Sequence, residues 1–403
     1  MDWFAFLISM ATVFILMTSC RDGGIGGPGD DPGPNPDECE IDPESCEPPP
    51  PPPPPDVTLN GFTLTQTDVF DQSLSTKIAT DGQTYLFGRA NSEENAIAYD
   101  KDGNRIDSAS LGVLITVNAL FPKSEGYLVS TNGRNQQNEI IGVITDVNNA
   151  AEIVDLSTNA PIFFADGVKT ASGKYFVVWG EVTTDVNGFS LSSILVAEIL
   201  SDLTLSPSHV VRTLNEEISV QSLKIAAFGN KLLIGESFFT SIFDQTLFLY
   251  DIVNDTTLDI LIPVQSGEQL AQLTNDGDGF VIVTFDEASE NRNVRFLKSD
   301  STFRNEVVIV PPGTNLVPIQ GGYLNAFARD RNDGKFDAVL QRLDDDGSIK
   351  EELAVLGSDF VNIEPSVIVL DTDHLLMSWQ GFVIDSATGD FVSKTFNAFL
   401  VRE

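Results

Sequence analysis

Ten polar or aromatic side chains that could recognise a ligand follow short apolar runs along the chain. Each stands near the start of a polar loop, and together they are Arg89, Asn132, Trp179, Glu181, Glu236, Asp286, Arg329, Asp330, Trp379 and Gln380. Aromatic faces supply contact area and polar groups supply orientation, which suits a sugar or a protein surface. We therefore predict that these residues form a ligand face. The competing interpretation is that they are solvated loop tips and core aromatics at strand ends.

Four of these residues are carboxylates that could perform hydrolysis, namely Glu181, Glu236, Asp286 and Asp330. Two carboxyl groups held about 5 to 9 Å apart can cleave a glycosidic bond, one as the acid and the other as nucleophile or base. The chain contains 59 Asp and Glu residues, however, so candidate pairs are expected from abundance alone. Ligand binding is therefore favoured over catalysis, with a carbohydrate-active enzyme (a glycoside hydrolase or lyase) as the alternative.

The two histidines of the chain offer little chemistry. His209 falls in a predicted outer strand, and His374 lies near a turn on the face opposite the polar loops. No G-x-S-x-G motif accompanies them, and no cluster of Cys and His has the spacing of a zinc site. We therefore predict no catalytic residue, no metal site and no cofactor.

Short runs of Asp and Gly resemble fragments of calcium-binding loops. They occur at 100–104 (DKDGN), at 344–348 (DDDGS) and around Asp330 with Asp333. None completes the twelve-residue loop with its terminal Glu. Asp and Gly also suit the backbone of tight hairpin turns, so we predict turns, with calcium binding as the open alternative.

The elements that must position these residues form a sequence repeat. Its second strand begins at or near seven positions, which are Tyr85, Tyr127, Tyr175, Leu232, Phe280, Tyr323 and His374. The average spacing is about 48 residues, the size of a four-stranded propeller blade. Radial packing of such blades protects the sheet edges that a small unit would expose. We therefore predict an all-β, seven-bladed β-propeller over residues 57–403.

The two ends of the repeat array predict how the ring closes. The seventh copy stops at Glu403 just after its third strand, whereas residues 57–70 precede the first copy without a partner. We expect this N-terminal strand to supply the missing outer strand of the last blade. An open solenoid or a pair of sandwiches is the alternative.

The sixth repeat adds a family resemblance. Its sequence RDRNDGKFDAVLQRLDDDG resembles the D-R-x-G and terminal D-G repeat of TolB-like bacterial propellers. The resemblance covers about 20 residues of one blade. It implies a propeller architecture and a setting in the bacterial envelope.

The charge of the chain limits its partners. The formal net charge is −36 at pH 7, from 59 acidic and 23 basic side chains. Phosphate binding needs a basic face, so nucleic acid is not expected as a partner. A strongly acidic surface also resists self-association, so we expect a soluble monomer.

The N-terminus carries an export signal that ends in a cysteine. An apolar run from Trp3 to Ser19 is followed by Cys20, and the junction LMTSC resembles the lipobox of bacterial lipoproteins. The resemblance implies that residues 1–19 are a signal peptide and that Cys20 is lipidated. The protein would then be anchored to the cell envelope, at the outer membrane on its periplasmic or external side. An uncleaved transmembrane anchor is the alternative.

The remaining cysteines and the linker agree with export. Cys39 and Cys46 have six residues between them and can form a local disulfide in an oxidising compartment, which leaves Cys20 as the odd cysteine. Residues 20–56 are rich in Gly, Pro and acidic groups, so we predict an extended, disordered linker. Pro48 to Pro55 favour polyproline II and would span about 25 Å. The predicted partners are the membrane, through the lipid, and an envelope protein or glycan.

Overall fold

The structure is a computed structural model, and it shows regular structure only as β-strands in the part of the chain that it describes. The described residues are 57–71, 76–89, 96–109, 114–123, 127–134, 140–146, 153–155, 163–184, 190–214, 220–239, 243–260, 268–286, 292–304, 307–310, 315–357, 359–360, 363–384 and 388–403. Within them, no helix is long and apolar enough to cross a lipid bilayer. The predicted signal peptide, lipidation site Cys20, disulfide Cys39–Cys46 and linker lie outside the described residues.

The strands are numbered here in chain order. They are β1 (Val57–Leu59), β2 (Phe62–Asp71), β3 (Thr76–Thr80), β4 (Tyr85–Arg89), β5 (Ala96–Tyr99), β6 (Arg105–Ala109), β7 (Leu114–Pro122), β8 (Tyr127–Arg134), β9 (Ile140–Asp146), β10 (Ile153–Asp155), β11 (Phe163–Lys169), β12 (Tyr175–Thr184), β13 (Ser190–Ile199), β14 (His209–Leu214), β15 (Val220–Phe228), β16 (Lys231–Phe239), β17 (Phe243–Asp251), β18 (Thr256–Ile260), β19 (Glu268–Asn275), β20 (Gly279–Asp286), β21 (Arg292–Lys298), β22 (Val308–Val310), β23 (Asn315–Ile319), β24 (Gly322–Asp330), β25 (Phe336–Leu343), β26 (Ile349–Gly357), β27 (Ile363–Val369), β28 (His374–Ile384) and β29 (Phe391–Arg402).

These strands form seven antiparallel sheets, which are the seven blades of a β-propeller. The inner strands of blades 1 to 7 are β3, β7, β11, β15, β19, β23 and β27, and later strands follow outward in chain order. All seven repeat positions found in the sequence lie at, or one residue after, the start of a second strand. The predicted fold class and repeat are therefore confirmed.

The burial of the second strands explains why the repeat can be recognised in the sequence. In β20 the residues from Gly279 to Thr284 are all buried, and in β4 the same holds from Tyr85 to Arg89. A blade packs against a neighbour on both faces, so its middle strands form continuous apolar runs instead of alternating. The outer strands meet solvent on one side, and β22 alternates between buried Val308 and Val310 and exposed Ile309.

The hydrophobic core is divided among the blade interfaces. The described residues form seven buried clusters, and each cluster joins two neighbouring blades. One of them brings Phe70 and Phe399 of blade 7 against Tyr85 and Tyr99 of blade 1. Each inner strand also contacts the next one, including β27 with β3. Burial between blades therefore continues from the last blade to the first.

The N-terminal segment supplies strands to two blades. β2 pairs with β29 from Phe62 opposite Arg402 to Asp71 opposite Lys394, so it is the outer strand of blade 7, as predicted. Residues 57–61 were predicted to lie in the same strand, but β1 instead pairs with β26 as a fifth strand of blade 6. The change of blade occurs at Gly61, whose φ of 72° is the left-handed conformation that glycine adopts without strain.

The wiring of the blades gives the ring two distinct faces. We call the loop face the one where second strands end and where the chain crosses to the next blade. We call the turn face the opposite one, which carries the short hairpin turns. Inner strands begin at the loop face and end at the turn face.

Polar side chains tie neighbouring inner strands together around the central channel. Gln272 of β19 accepts a hydrogen bond from the N–H of Leu316 at 2.9 Å and donates one to its carbonyl at 2.8 Å. Asn315 accepts the N–H of Val367 at 2.9 Å. The channel-side edge of an inner strand has no strand beside it, so these side chains satisfy backbone groups there.

Candidate functional site

The predicted ligand-face residues all lie in second strands, close to the loop face. Arg89 is in β4, Asn132 in β8, Trp179 and Glu181 in β12, Glu236 in β16, Asp286 in β20, Arg329 and Asp330 in β24, and Trp379 and Gln380 in β28. Their position along the blades is thus the one that the repeat implied. Their exposure and contacts differ widely from one residue to the next.

The two tryptophans belong to the core. Trp179 is 3% exposed and Trp379 is 1% exposed, and each sits in a cluster between two blades. Trp379 stacks on Phe396 with ring centroids 4.5 Å apart. A second strand is covered on both faces by neighbouring blades, so its aromatic side chains pack inward. These indoles do not offer a stacking surface to a ligand in this structure.

Glu236 and Arg89 link neighbouring blades. Glu236 is fully buried and accepts a hydrogen bond from Arg212 of β14, the outer strand of blade 3. Arg212 also donates to Thr246 of blade 4 at 2.8 Å. The guanidinium of Arg89 lies 4.3 Å from the ring centroid of Phe70, which belongs to blade 7. Both side chains therefore have a structural role between blades.

Three further predicted residues make local contacts. Arg329 pairs with Glu352 at 3.0 Å, and Asp330 accepts the backbone N–H of Asn332 at 2.7 Å. Gln380 accepts a hydrogen bond from Thr76 at 3.3 Å, which joins blade 7 to blade 1.

The remaining three predicted residues differ in exposure. Asn132 is buried in β8, whereas Glu181 and Asp286 are partly exposed. The four carboxylates considered for hydrolysis lie in four different blades.

The Asp-rich runs form hydrogen-bonded turns. Asp100 accepts the backbone N–H groups of Asp102 and Asn104 at 2.9 and 2.8 Å, and Asp346 accepts that of Ser348 at 2.9 Å. No group of three or more potential metal-ligating side chains occurs among the described residues. The carboxylates thus bond the turn backbone, as the turn interpretation expects.

The histidines sit away from the channel. His209 begins β14, an outer strand, and its Nδ1 lies 2.9 Å from Asp255. His374 lies at a turn between the first two strands of blade 7, with Nδ1 2.8 Å from Asp371. Both positions agree with the sequence analysis.

The structure assembles a group of charged side chains that sequence reasoning missed. We call it the channel cluster, and it consists of Lys77, Asp166, Lys224, Arg292 and Glu364. Four of the five lie on inner strands, in blades 1, 3, 4 and 7. Lys77 Nζ lies 3.9 Å from Asp166 Oδ1, although blades 1 and 3 are not neighbours. This ion pair therefore reaches across the central channel.

The channel cluster lies at the level of the predicted ligand face. In the strand register Lys77 is opposite Gly88, Lys224 is opposite Gly235, and Glu364 is opposite Gln380. Gly88 and Gly235 directly precede Arg89 and Glu236 in the sequence. Adjacent strands are about 4.8 Å apart, so the cluster lies one strand inward from the residues that the sequence singled out.

Most of the described lysines have an ion-pair or hydrogen-bond partner, but Lys224 has none among the described residues. Its ammonium makes no hydrogen bond or ion pair with any described residue, while both oxygens of neighbouring Asp166 are engaged elsewhere. Asp166 Oδ1 faces Lys77, and Oδ2 accepts the backbone N–H of Ile225 at 3.2 Å. Burial lowers the pKa of Lys224, and the positive charge of Lys77 acts in the same direction against the opposing effects of Asp166 and Glu364.

Arg292 is the second cation of the cluster that has no ion-pair partner among the described residues. It begins β21 at the loop face of blade 5, and its buried Nε has no hydrogen-bond partner in the described part of the chain. Its guanidinium lies 5.8 Å from the ring centroid of Phe285. Burial lowers the pKa of Arg292, and the carboxylate of Glu364 opposes this shift. The exposed carboxylate of Glu364 therefore opposes the lowering of the pKa at both Lys224 and Arg292.

A signal for this cluster was present in the sequence. Lysine, aspartate and glutamate interrupt the first strands of four repeats, in TKIAT, FFADGVK, LKIAAF and IEPSVIV. The innermost strand lines the channel, so a charged residue within it must face that channel or neighbouring blades. The predicted ligand face was drawn only from the strand that leads into the polar loops of each repeat.

Comparison with known proteins supports the fold. No protein-family model and no curated protein matches this chain. An oligogalacturonate lyase from Vibrio parahaemolyticus has a TM-score of 0.52 at 11% identity, over 85% of this chain and 98% of its own. Polysaccharide lyase Uly1 has a TM-score of 0.50 at 10% identity, over 81% of this chain and 89% of its own.

A larger protein gives a weaker match. The dipeptidyl peptidase 4 of Porphyromonas gingivalis has a TM-score of 0.45 at 11% identity over 80% of this chain, which spans only 53% of that protein. At such identities the similarity concerns the fold alone. Together with the seven sheets, the matches to the two lyases identify the described part of the chain as a β-propeller.

Proposed function

We propose that the propeller is a binding module of the cell envelope that captures a short acidic saccharide at the channel cluster. One observation carries this proposal: Lys224 and Arg292 are half-buried cations without an ion-pair partner among the described residues. Removing an ion from water without a partner costs free energy, and such groups in a cleft are typical of functional sites. A ligand carboxylate would supply the missing partner.

The charge of the whole chain limits the size of this ligand. A net charge of −36 repels polyanions at distances beyond the channel. Salt reduces this repulsion, because the Debye length is about 8 Å at physiological ionic strength. A saccharide with one or two carboxylates therefore suits the site better than a long acidic polymer.

The binding test compares an acidic disaccharide with a neutral one. In calorimetric titrations we expect digalacturonate to bind and maltose not to bind. Lys224→Met should weaken digalacturonate binding by about tenfold, since a charge-assisted hydrogen bond contributes about 1.5 to 3 kcal/mol. Lys101→Met alters an exposed lysine at a turn-face hairpin and should leave the affinity unchanged. Equal binding of the two sugars, or no effect of Lys224→Met, would reject the proposal.

The envelope location is proposed from the sequence motifs. The LMTSC junction at Cys20 and the TolB-like pattern of the sixth repeat support a lipid-anchored propeller. Two or three acyl chains hold a domain at a bilayer durably, whereas one chain binds marginally. Intact mass measurement of membrane-extracted protein should show a diacylated or triacylated chain that begins at Cys20. A full-length, unmodified N-terminus would contradict this location.

A carbohydrate-active enzyme is the second candidate, and Lys224 again favours it. Burial lowers the pKa of Lys224, so its neutral amine forms at a lower pH than that of an exposed lysine. The neutral amine is the form that can accept a proton, as a catalytic base must. The two fold relatives named as lyases show that this architecture can carry such chemistry, without assigning it to this chain. Release of new reducing ends from oligogalacturonates, lost in Lys224→Met, would support the enzyme. Binding without release would support the module.

A further inference from the structure

A hydroxyl group, an imidazole and a carboxylate meet on the outer rim of the ring. His209 begins β14, the outer strand of blade 3, and Thr257 lies in β18, the outer strand of blade 4. His209 Nε2 lies 2.8 Å from Thr257 Oγ1, and His209 Nδ1 lies 2.9 Å from Asp255 Oδ1. We call these three residues the rim triad. Their connectivity is that of the nucleophile, base and orienting acid of hydrolytic enzymes, which is recognised by geometry and not by order in the sequence.

Tyr250 of β17 holds the imidazole of the rim triad in place. Its ring stacks on that of His209 with centroids 4.5 Å apart, and its hydroxyl donates to Asp255 Oδ1 at 3.0 Å. Tyr250 is buried and lies opposite Thr257 in the strand register, while His209 lies opposite Val196 of β13. The histidine and the threonine therefore stand on paired strands, which hold side chains more precisely than loops do.

The hydrogen bonds of His209 determine which of its nitrogens is basic. A carboxylate only accepts hydrogen bonds, so Nδ1 of the neutral imidazole donates its hydrogen to Asp255. Nε2 then keeps its lone pair and accepts the hydroxyl hydrogen of Thr257. A general base must take a proton from the nucleophile in this direction.

We propose that the rim triad transfers the acyl group of a carboxylic ester to Thr257. Oγ1 of Thr257 attacks the ester carbonyl carbon and forms a C–O bond, while its proton moves to Nε2 of His209. The bond to the leaving alcohol then breaks, and the alcohol oxygen keeps the electron pair and receives that proton. Water attacks the new ester by the same route and releases the carboxylic acid. No oxidant or reductant enters this balance.

The exposure of the rim triad determines the expected rate. The side chain of Asp255 is 73% exposed and that of His209 is 23% exposed. Water therefore weakens the electrostatic effect of the carboxylate, and the reaction should be slower than that of an enclosed triad. A small activated ester suits so open a site. This inference is independent of the channel cluster, and it departs from the prediction that the chain has no catalytic residue.

Two other sites in the chain contain part of the same arrangement. Thr204 donates its hydroxyl to Asp202 at 2.7 Å, so it has a carboxylate partner but no imidazole partner among the described residues. His374 Nδ1 lies 2.8 Å from Asp371, but no hydroxyl group of the described residues bonds its other nitrogen. These sites are internal controls for the threonine and for the histidine.

The test is acetylation of the intact protein by p-nitrophenyl acetate near pH 7. The reaction is stopped with acid, which preserves a threonine ester, and peptide mass spectrometry measures the acetyl groups at Thr257 and Thr204. We expect Thr257 to be acetylated about a hundredfold faster than Thr204, since a positioned general base contributes about that factor or more. Equal or slower acetylation of Thr257 would overturn the proposal.

Two variants test the roles of the imidazole and the carboxylate. His209→Phe keeps a ring against Tyr250 and removes both nitrogens, so acetylation of Thr257 should fall to the rate at Thr204. Asp255→Asn keeps the side-chain size, and asparagine tolerates the left-handed backbone at this position, where φ is 53°. It should slow acetylation of Thr257 by about tenfold or more, because it removes the group that orients the imidazole. Unchanged acetylation in either variant would reject the assigned roles.

The matched control variant is His374→Phe. It removes the other contact between a histidine and an aspartate, and it should leave acetylation of Thr257 unchanged. A loss equal to that in His209→Phe would mean that the effect does not arise at the rim triad, and would contradict the proposal.

Discussion

Some side chains in this propeller link neighbouring blades, whereas others have no hydrogen-bond or ion-pair partner among the described residues. Glu236 and Arg212 form an ion pair between blades 3 and 4, and Trp379 packs in the core between blades 6 and 7. Lys224 is half-buried and has no such partner among the described residues. A half-buried cation without a partner among the described residues is a candidate for contact with a ligand.

The first prediction concerns the stability cost of Lys224. Lys224→Met keeps a long side chain and removes the charge, so it should raise the free energy of unfolding by about 1 kcal/mol or more at neutral pH. Urea denaturation at constant m-value measures this change. A lowered free energy of unfolding would show that Lys224 has a stabilising partner and would contradict our account.

The same residue predicts a pH dependence. The folded pKa of Lys224 is lowered, so the unfolded chain binds the extra proton between the folded pKa and the ordinary value near 10.4. The stability penalty is therefore complete below the folded pKa and disappears as pH rises toward the ordinary value. The stability gain of Lys224→Met should shrink over the same range, and a gain independent of pH would contradict this assignment.

Some residues of the site could be predicted and others could not. Periodicity located the strand ends, so the level of the predicted ligand-face residues along each blade was predictable. The burial of these residues was not predictable, because an indole in a second strand is covered by a neighbouring blade that is distant in sequence. The channel cluster depends on contacts such as Lys77 with Asp166, which join blades that are not adjacent.

At the scale of elements, one turn-face hairpin of blade 1 packs against blade 7. Gly103 lies at φ 91° in the hairpin between β5 and β6, and a Cβ added there would come 2.6 Å from the ring of buried Phe399 in blade 7. Gly82, in the turn between β3 and β4, has φ 84° and no heavy atom within 4 Å of such a Cβ. A side chain at Gly82 would therefore introduce backbone strain alone, whereas a side chain at Gly103 would also clash with Phe399.

The second prediction uses this matched pair. Gly103→Ala should lower the free energy of unfolding by about 2 to 4 kcal/mol, because it adds overpacking to left-handed strain. Gly82→Ala should lower it by only about 1 kcal/mol, from strain alone. Thermal and urea denaturation of both variants measure the difference. Equal losses would mean that the tip of this hairpin does not pack against blade 7.

Two hairpin carboxylates predict an acid sensitivity. Thr204 donates its hydroxyl to Asp202 at 2.7 Å, and Thr302 donates its hydroxyl to Asp300 at 2.6 Å, which lowers the pKa of both carboxyls. Their stabilisation is complete above the ordinary pKa near 3.9 and is lost as pH falls through the folded values. The variant Asp202→Asn with Asp300→Asn should therefore lose less stability than the wild type between pH 6 and pH 2.5. An identical loss would exclude these turns as a source of acid sensitivity.

At the scale of the whole molecule, blade 7 combines β2, which lies near the start of the described chain, with β29, which lies at its end. Nine residues of β2 pair with β29, and Phe70 of β2 packs in the cluster between blades 7 and 1. The sequence predicted this pairing because the last repeat lacked a fourth strand. It did not predict the pairing of β1 with blade 6, since three residues carry no periodic signal.

The third prediction tests this closure with a matched deletion. Removal of residues 57–71 from the full chain should lower the melting temperature by about 10 °C or more, because it exposes the edge of β29 and part of the core. Removal of 57–61 alone takes away only the fifth strand of blade 6 and should have a much smaller effect. Similar effects of the two deletions would argue against β2 as the strand that completes blade 7.

The channel cluster depends on the whole ring, because its members come from five of the seven blades. Its charge can be changed in single steps without altering side-chain size greatly. Lys224→Met removes one positive charge, and Glu364→Gln removes the exposed carboxylate that competes with a ligand anion. Glu364 has no ion pair in the described structure, so its replacement should leave the fold intact.

The most direct test is the dissociation constant of digalacturonate measured for the wild type, Lys224→Met and Glu364→Gln under one set of salt conditions. Our account predicts the tightest binding for Glu364→Gln, intermediate binding for the wild type and the weakest for Lys224→Met. Three equal constants, or the reverse order, would show that an acidic ligand does not bind at the channel cluster.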